Sequence, residues 1–212
     1  MPLYKKIQFN SATTIYIWKI TESFEQLSKE VGLDSKCQSR VESMKSELHQ
    51  RGFLSVRKLL GEAGYSSFDL YYDAFGKPHL HDGKYISITH SYEFSSIIIS
   101  DEIVGIDMEL QREKIIRIAD KFCDTEFQYL DRKNVSEYIK KLTVIWGVKE
   151  AIFKIRNEKG ISFKDHITVD SFELNKAQTT ASLHFGGFHT EFDIYFEEVE
   201  NFILVYALEA RK

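Results

Sequence analysis

Cysteine and proline are scarce in this chain of 212 residues, which holds two of each. Cys37 and Cys123 lie far apart, with no C-x-x-C and no histidine pair nearby. That argues against a structural zinc and fits a reduced, cytoplasmic setting. An apolar signal core is missing from the start, Met1-Pro2-Leu3-Tyr4-Lys5-Lys6-Ile7. Long hydrophobic runs are missing too: the apolar stretches are strand-length, so no membrane span is expected. There is no basic excess, since 28 Lys+Arg against 32 Asp+Glu give −4. Nothing in that balance advertises nucleic acid as a partner. There is also no low-complexity linker and no short repeat. What is present is an ordinary globular composition, 43% hydrophobic and 14% aromatic.

The length suits one large domain or two small ones. Thr13–Ile20 reads as a strand and Glu22–Val31 as a short helix ending near Gly32. Lys36–Leu60 reads as one long helical stretch that Gly52 interrupts. Leu70–Tyr72 is a short strand, followed by the turn Phe75-Gly76-Lys77-Pro78. Tyr85–Thr89, Phe94–Ser100 and Ile103–Met108 read as successive strands. Lys114–Phe122 and Asp124–Leu130 are expected helices, and Val135–Arg156 is the strongest helix pattern. Strands return over His166–Ser171, Thr180–Phe185, Thr190–Phe196 and Phe202–Leu208. Helices followed by strands in each half suggest a mixed α+β chain of two lobes, 1–102 and 103–212.

Within Val104-Gly105-Ile106-Asp107-Met108-Glu109, the acids stand two residues apart on a strand. Such side chains share one face, so Asp107 and Glu109 point the same way. Magnesium takes oxygen ligands, often one or two carboxylates plus substrate phosphates. A D-x-E strand alone is more often a solvated strand end. The apolar neighbours Ile103, Val104, Ile106 and Met108 place these acids at a cleft edge instead.

In Trp146-Gly147-Val148-Lys149-Glu150-Ala151-Ile152-Phe153-Lys154, Glu150 and Lys154 share a helix face four residues apart. Taken alone, such a pair is usually a surface contact of ~0.3–0.5 kcal/mol. Trp146, Ile152 and Phe153 enclose these charges. A third carboxylate there could complete a metal site or accept a proton, and nearby lysines could neutralise phosphate oxygens. His90, at a strand end in Ser87-Ile88-Thr89-His90-Ser91, and Lys77, on its turn, are each commonplace taken singly.

Taken in order, these segments resemble the 4′-phosphopantetheinyl transferase superfamily, in its larger pseudo-dimeric, surfactin-synthetase-activator type. They are Gly76-Lys77-Pro78, Thr89-His90-Ser91, Gly105-Ile106-Asp107-Met108-Glu109, Phe122-Cys123-Asp124-Thr125-Glu126 and Trp146 to Lys154. The resemblance covers about residues 50 to 165. It departs at Ser87 and Thr89, where the family usually has Asn and Ser.

That resemblance implies two similar lobes related by a pseudo-twofold, each a small, mostly antiparallel sheet packed with helices, in a monomer. It implies Mg2+ on Asp107, Glu109 and Glu150. It places coenzyme A phosphates near Lys77, His90, Lys149 and Lys154, and makes Glu150 the general base. Arg57 matches a helix arginine of the family and is given no role. Lys29, Lys36 and Arg40 are candidates for the 3′-phosphate of coenzyme A. The implied reaction moves 4′-phosphopantetheine from coenzyme A to a serine of an acyl or peptidyl carrier protein. The carrier is expected near Arg156–Lys164, with Lys159 and Lys164 as charges and Ile161 and Phe163 as apolar contacts. Two other readings of the same residues are a Mg2+-dependent phosphodiester hydrolase and a silent coenzyme A or carrier-binding module.

Overall fold

The computed structural model describes residues 3–33 and 35–210, with every side chain among them except that of Lys36. It divides into two compact units, residues 1–102 and 103–212. Each is mixed α and β with antiparallel sheets.

Among its described residues the first unit carries a four-stranded sheet in the order β1-β2-β6-β5, formed by Lys5–Gln8, Thr13–Lys19, Phe94–Ser100 and Tyr85–Ser91. Every pairing in it is antiparallel. β6 is buried along its whole length, although it contains three serines. Each finds a partner, as buried hydroxyls must. Ser96 donates to the Tyr16 carbonyl at 2.8 Å, Ser95 meets Ser55 at 2.8 Å, and Ser100 meets Thr13 at 2.7 Å.

Helices α1 (Phe24–Glu30), α2 (Ser35–Ser43) and α3 (Glu47–Glu62) share a core with this sheet. Ser23 and Gln26 close a reciprocal capping box at the start of α1. The long helix expected over Lys36–Leu60 is two helices, broken at Met44–Ser46 rather than at Gly52. Gln50 bridges the break, donating to the carbonyls of Val41 and Met44. Gly52 lies inside α3 because space is needed there. A Cβ at that position would stand 3.0 Å from the Cγ and Nδ1 of His90. Two strands that periodicity did not reveal are β1 and β4 (Pro78–Leu80), both of only three or four residues. β4 pairs with β3 (Leu70–Tyr72).

Among its described residues the second unit carries a five-stranded antiparallel sheet in the order β7-β11-β10-β9-β8. The strands are Val104–Leu110, Phe202–Glu209, Phe188–Val199, Gln178–Phe185 and Ile167–Val169. Helix α4, Val135–Arg156, packs against β7 and β11. Asn134 caps its start and Asn157 ends it in the left-handed region at φ 51°, a conformation asparagine tolerates. The expected helices at Lys114–Phe122 and Asp124–Leu130 are both 3₁₀ segments, Glu113–Lys121 and Thr125–Tyr129. α5 is the single turn Phe163–His166. No helix among the described residues is long and apolar enough to cross a membrane.

Candidate functional site

The second unit brings the two sequence signatures together. β7 is an edge strand of its sheet, and α4 lies directly against it. Two glycines permit the close approach. A Cβ on Gly105 would stand 2.1 Å from the carbonyl oxygen of Ala151. A Cβ on Gly147 would stand 2.8 Å from Val205 Cγ2 and 3.7 Å from Asp107 Oδ2. With no side chains between them, the Trp146, Glu150 and Lys154 stripe of α4 faces the carboxylates of β7.

Each contact along that stripe has a distance or an electrostatic consequence. Trp146 Nε1 donates to Glu109 Oε1 at 3.1 Å. Lys154 Nζ pairs with Asp107 Oδ1 at 2.7 Å and donates to the Ile106 carbonyl at 2.9 Å. Asp107 is buried, at 4% exposure. Glu150 is half-buried, and its carboxylate finds no hydrogen-bond partner among the described residues. Burial, then the neighbouring Asp107 charge, pushes Glu109 up to about 7, against the Trp146 hydrogen bond and the Lys154 charge. Burial and Asp107 likewise push Glu150 up to about 7, with Lys154 opposing. Three carboxylates thus feel one another's charge, and Lys154 offsets only part of it.

The donor chemistry suits a hard divalent cation: carboxylate oxygens only, electrostatically in need of positive charge. Among the described residues no group of three or more His, Cys, Asp or Glu side chains stands in ready metal-ligating geometry. The acids are adjacent without forming a finished coordination cage.

Lys149 lies elsewhere. It is fully buried, its Nζ pairs with Glu126 Oε1 at 2.6 Å, and it donates to the carbonyls of Phe163 and Ile167 at 2.9 and 2.6 Å. All three ammonium protons have acceptors, so none is left for a phosphate. Burial lowers the Lys149 pKa while the Glu126 carboxylate opposes that fall. Glu126 also accepts from the backbone N–H groups of Asp124 and Val169. The pair ties the 3₁₀ segment, α4 and β8 together. Glu126 belongs to the Phe122–Glu126 segment noted in the sequence, but its partner is visible only in three dimensions. Trp146 as a hydrogen-bond donor, and the glycines as spacers, were also not read from the sequence.

In the first unit, Lys77 follows Gly76 (φ +83°) on a turn where Asp73 Oδ1 accepts from the N–H groups of Phe75 and Lys77. His90 is exposed on β5, paired in register with Ser95, and its ring lies 6.2 Å from that of His49. Arg57 is buried against the Phe53 ring at 3.5 Å, and Arg40 lies 5.4 Å from the same ring. The Lys36 side chain lies outside the described residues. In the second unit, Lys159 is exposed and Lys164 half-buried. Ile161 and Phe163 pack on the core rather than standing free. The Phe163 ring lies 5.5 Å from Trp146 and 5.7 Å from Phe153.

Residues 103–207 match the family model of the 4′-phosphopantetheinyl transferase superfamily. This part of the chain is similar to that superfamily. A stretch of 111 residues is 31% identical to the protein named 4′-phosphopantetheinyl transferase gsp from Aneurinibacillus migulanus. It spans 52% of this chain and 45% of that relative, so the match covers less than half the relative's length.

Proposed function

We propose that this protein transfers the 4′-phosphopantetheine arm of coenzyme A to a serine hydroxyl of an apo acyl or peptidyl carrier protein, breaking the pyrophosphate bond and releasing 3′,5′-ADP, with Mg2+ as cofactor. The observation that carries the reading is the meeting of Asp107 and Glu109 on β7 with Glu150 and Lys154 on α4, in the segment that matches the superfamily. The name of the Aneurinibacillus relative supports it.

In this reading Asp107, Glu109 and Glu150 hold Mg2+, which when bound supplies charge for the pyrophosphate oxygens. Lys154 pairs with Asp107 and lends a second positive charge beside the acids. Trp146 fixes the Glu109 carboxylate. Glu150, the acid of the three without a hydrogen-bond partner, takes the proton of the attacking serine. Lys77 and His90 are assigned phosphate contacts by the family pattern alone. Lys149 is assigned no phosphate contact, because its donors are spent inside the fold. A reduced cytoplasm and a monomer fit the two cysteines and the two-unit chain.

The test is to incubate the protein with coenzyme A, Mg2+ and a panel of apo carriers, and to record intact masses. One phosphopantetheinyl adduct, absent with EDTA and absent in Asp107→Ala, is the expected result. Unmodified carriers across the panel, or coenzyme A hydrolysed without transfer, would overturn the proposal.

A further inference from the structure

The second unit carries a histidine pair that the proposed transfer does not use. β9 and β10 are joined through Gly186 and Gly187, with φ of +61° and +81°. Positive φ at both central residues makes a tight hairpin turn, a conformation open to glycine. The turn sets the register: Phe185 faces Phe188, and His184 faces His189. In an antiparallel ladder, hydrogen-bonded and non-hydrogen-bonded pairs alternate. The second pair from a two-residue turn is of the closer kind, with its side chains nearer together.

The two imidazoles lie with ring centroids 4.1 Å apart, tilted by 43°. Both are exposed. Their neighbours Leu183 and Phe192 turn inward to the core, so His184, His189 and Glu191 share the outward face. Glu191 Oε1 sits 2.5 Å from His189 Nε2. A carboxylate on one ring nitrogen fixes the orientation of the ring and presents the other nitrogen, Nδ1, as a lone-pair donor. This is the usual support of a metal-binding histidine.

We propose that His184 and His189 together bind a divalent transition ion of the Zn2+, Ni2+ and Cu2+ class, through one nitrogen of each ring. Imidazole nitrogen suits these ions and not Mg2+, which takes oxygen. The site has two protein ligands. Glu191 orients His189, and water fills the remaining positions, in keeping with the absence of any three-residue metal-ligating group among the described residues. The bound ion staples β9 to β10 beside the turn. It is independent of the acids on β7, which belong to other residues and another class of ion.

Calorimetric titration of the full-length protein with Zn2+, in excess Mg2+, tests this. One equivalent is expected to bind, and to be lost in His184→Ala and in His189→Ala. Glu191→Gln is expected to weaken it about tenfold, the usual effect of removing such a support. Asp107→Asn should leave it unchanged. Added Cu2+ should give an electron paramagnetic resonance spectrum with coupling to two nitrogens, reduced in either histidine variant. Failure of the wild-type chain to take up Zn2+ would overturn the proposal. So would uptake that persists in both histidine variants, or that disappears in Asp107→Asn.

Discussion

Gly105 on β7 lies so close beneath Ala151 on α4 that a single added methyl group would meet the Ala151 carbonyl oxygen at 2.1 Å. The obstacle is backbone, which cannot swing aside. Gly105→Ala is therefore expected to push α4 off β7, at a cost of about 1–3 kcal/mol or more. It should also separate Glu150 and Lys154 from Asp107. Gly147→Ala meets side-chain rather than backbone atoms, chiefly Val205, and should cost less. Denaturant midpoints for the two variants, read beside carrier modification, check the order. Equal stability would show that the contact is not limiting.

Gly52→Ala separates helix propensity from site geometry. Alanine favours a helix by about 0.5–1 kcal/mol over glycine, yet its Cβ would press on the His90 ring. Stability should change little while coenzyme A binding weakens, read by calorimetry. Unchanged affinity would remove His90 from the phosphate contacts.

Trp146→Phe keeps the aromatic ring against Phe122 and Phe163 but deletes the N–H held by Glu109. The fold should survive. The Mg2+ concentration needed for half-maximal transfer should rise about tenfold, as when a ligand loses its outer partner. A loss of stability with no change in the Mg2+ requirement would assign Trp146 to packing alone.

Lys149→Met leaves Glu126 buried without its cation. Breaking one side of such a pair costs about 3–5 kcal/mol, whereas replacing both sides is far milder. Glu126→Gln/Lys149→Met should therefore be more stable than Lys149→Met alone in urea. If Lys149→Met instead keeps full stability and raises only the KM for coenzyme A, the lysine acts on substrate.

Cys123 is wholly buried, and burial pushes its thiol up to about 12. At pH 8 only about one thiol in ten thousand is ionised for such a pKa. Iodoacetamide should therefore spare Cys123 in the native protein and label it after unfolding, while the half-buried Cys37 reacts first. Peptide mass mapping reads both sites.

Much of this architecture is written in short-range pattern. Strands β5 and β7 and the helix Val135–Arg156 follow from alternation and from helical spacing, β6 from its continuous run Ile97–Ile99, and the helix bounds agree with the sequence expectation. β1 and β4 escaped because three or four residues carry too little periodicity. The 3₁₀ segments passed for α-helices because their apolar residues recur at similar spacing. Gly52 read as a helix break because a sequence cannot show the ring that needs its space.

The sequence by itself determined that Asp107 and Glu109 share a strand face, and that Glu150 and Lys154 share a helix face. Those pairings follow from backbone geometry alone. Which lysine meets which acid was decided by the tertiary structure. Lys149 and Lys154 are five residues apart on one helix, and at 3.6 residues per turn they cannot share a face. The glycine contacts at 105 and 147 set how α4 lies on the sheet. That placement turns Lys154 toward Asp107 and sends Lys149 inward to Glu126.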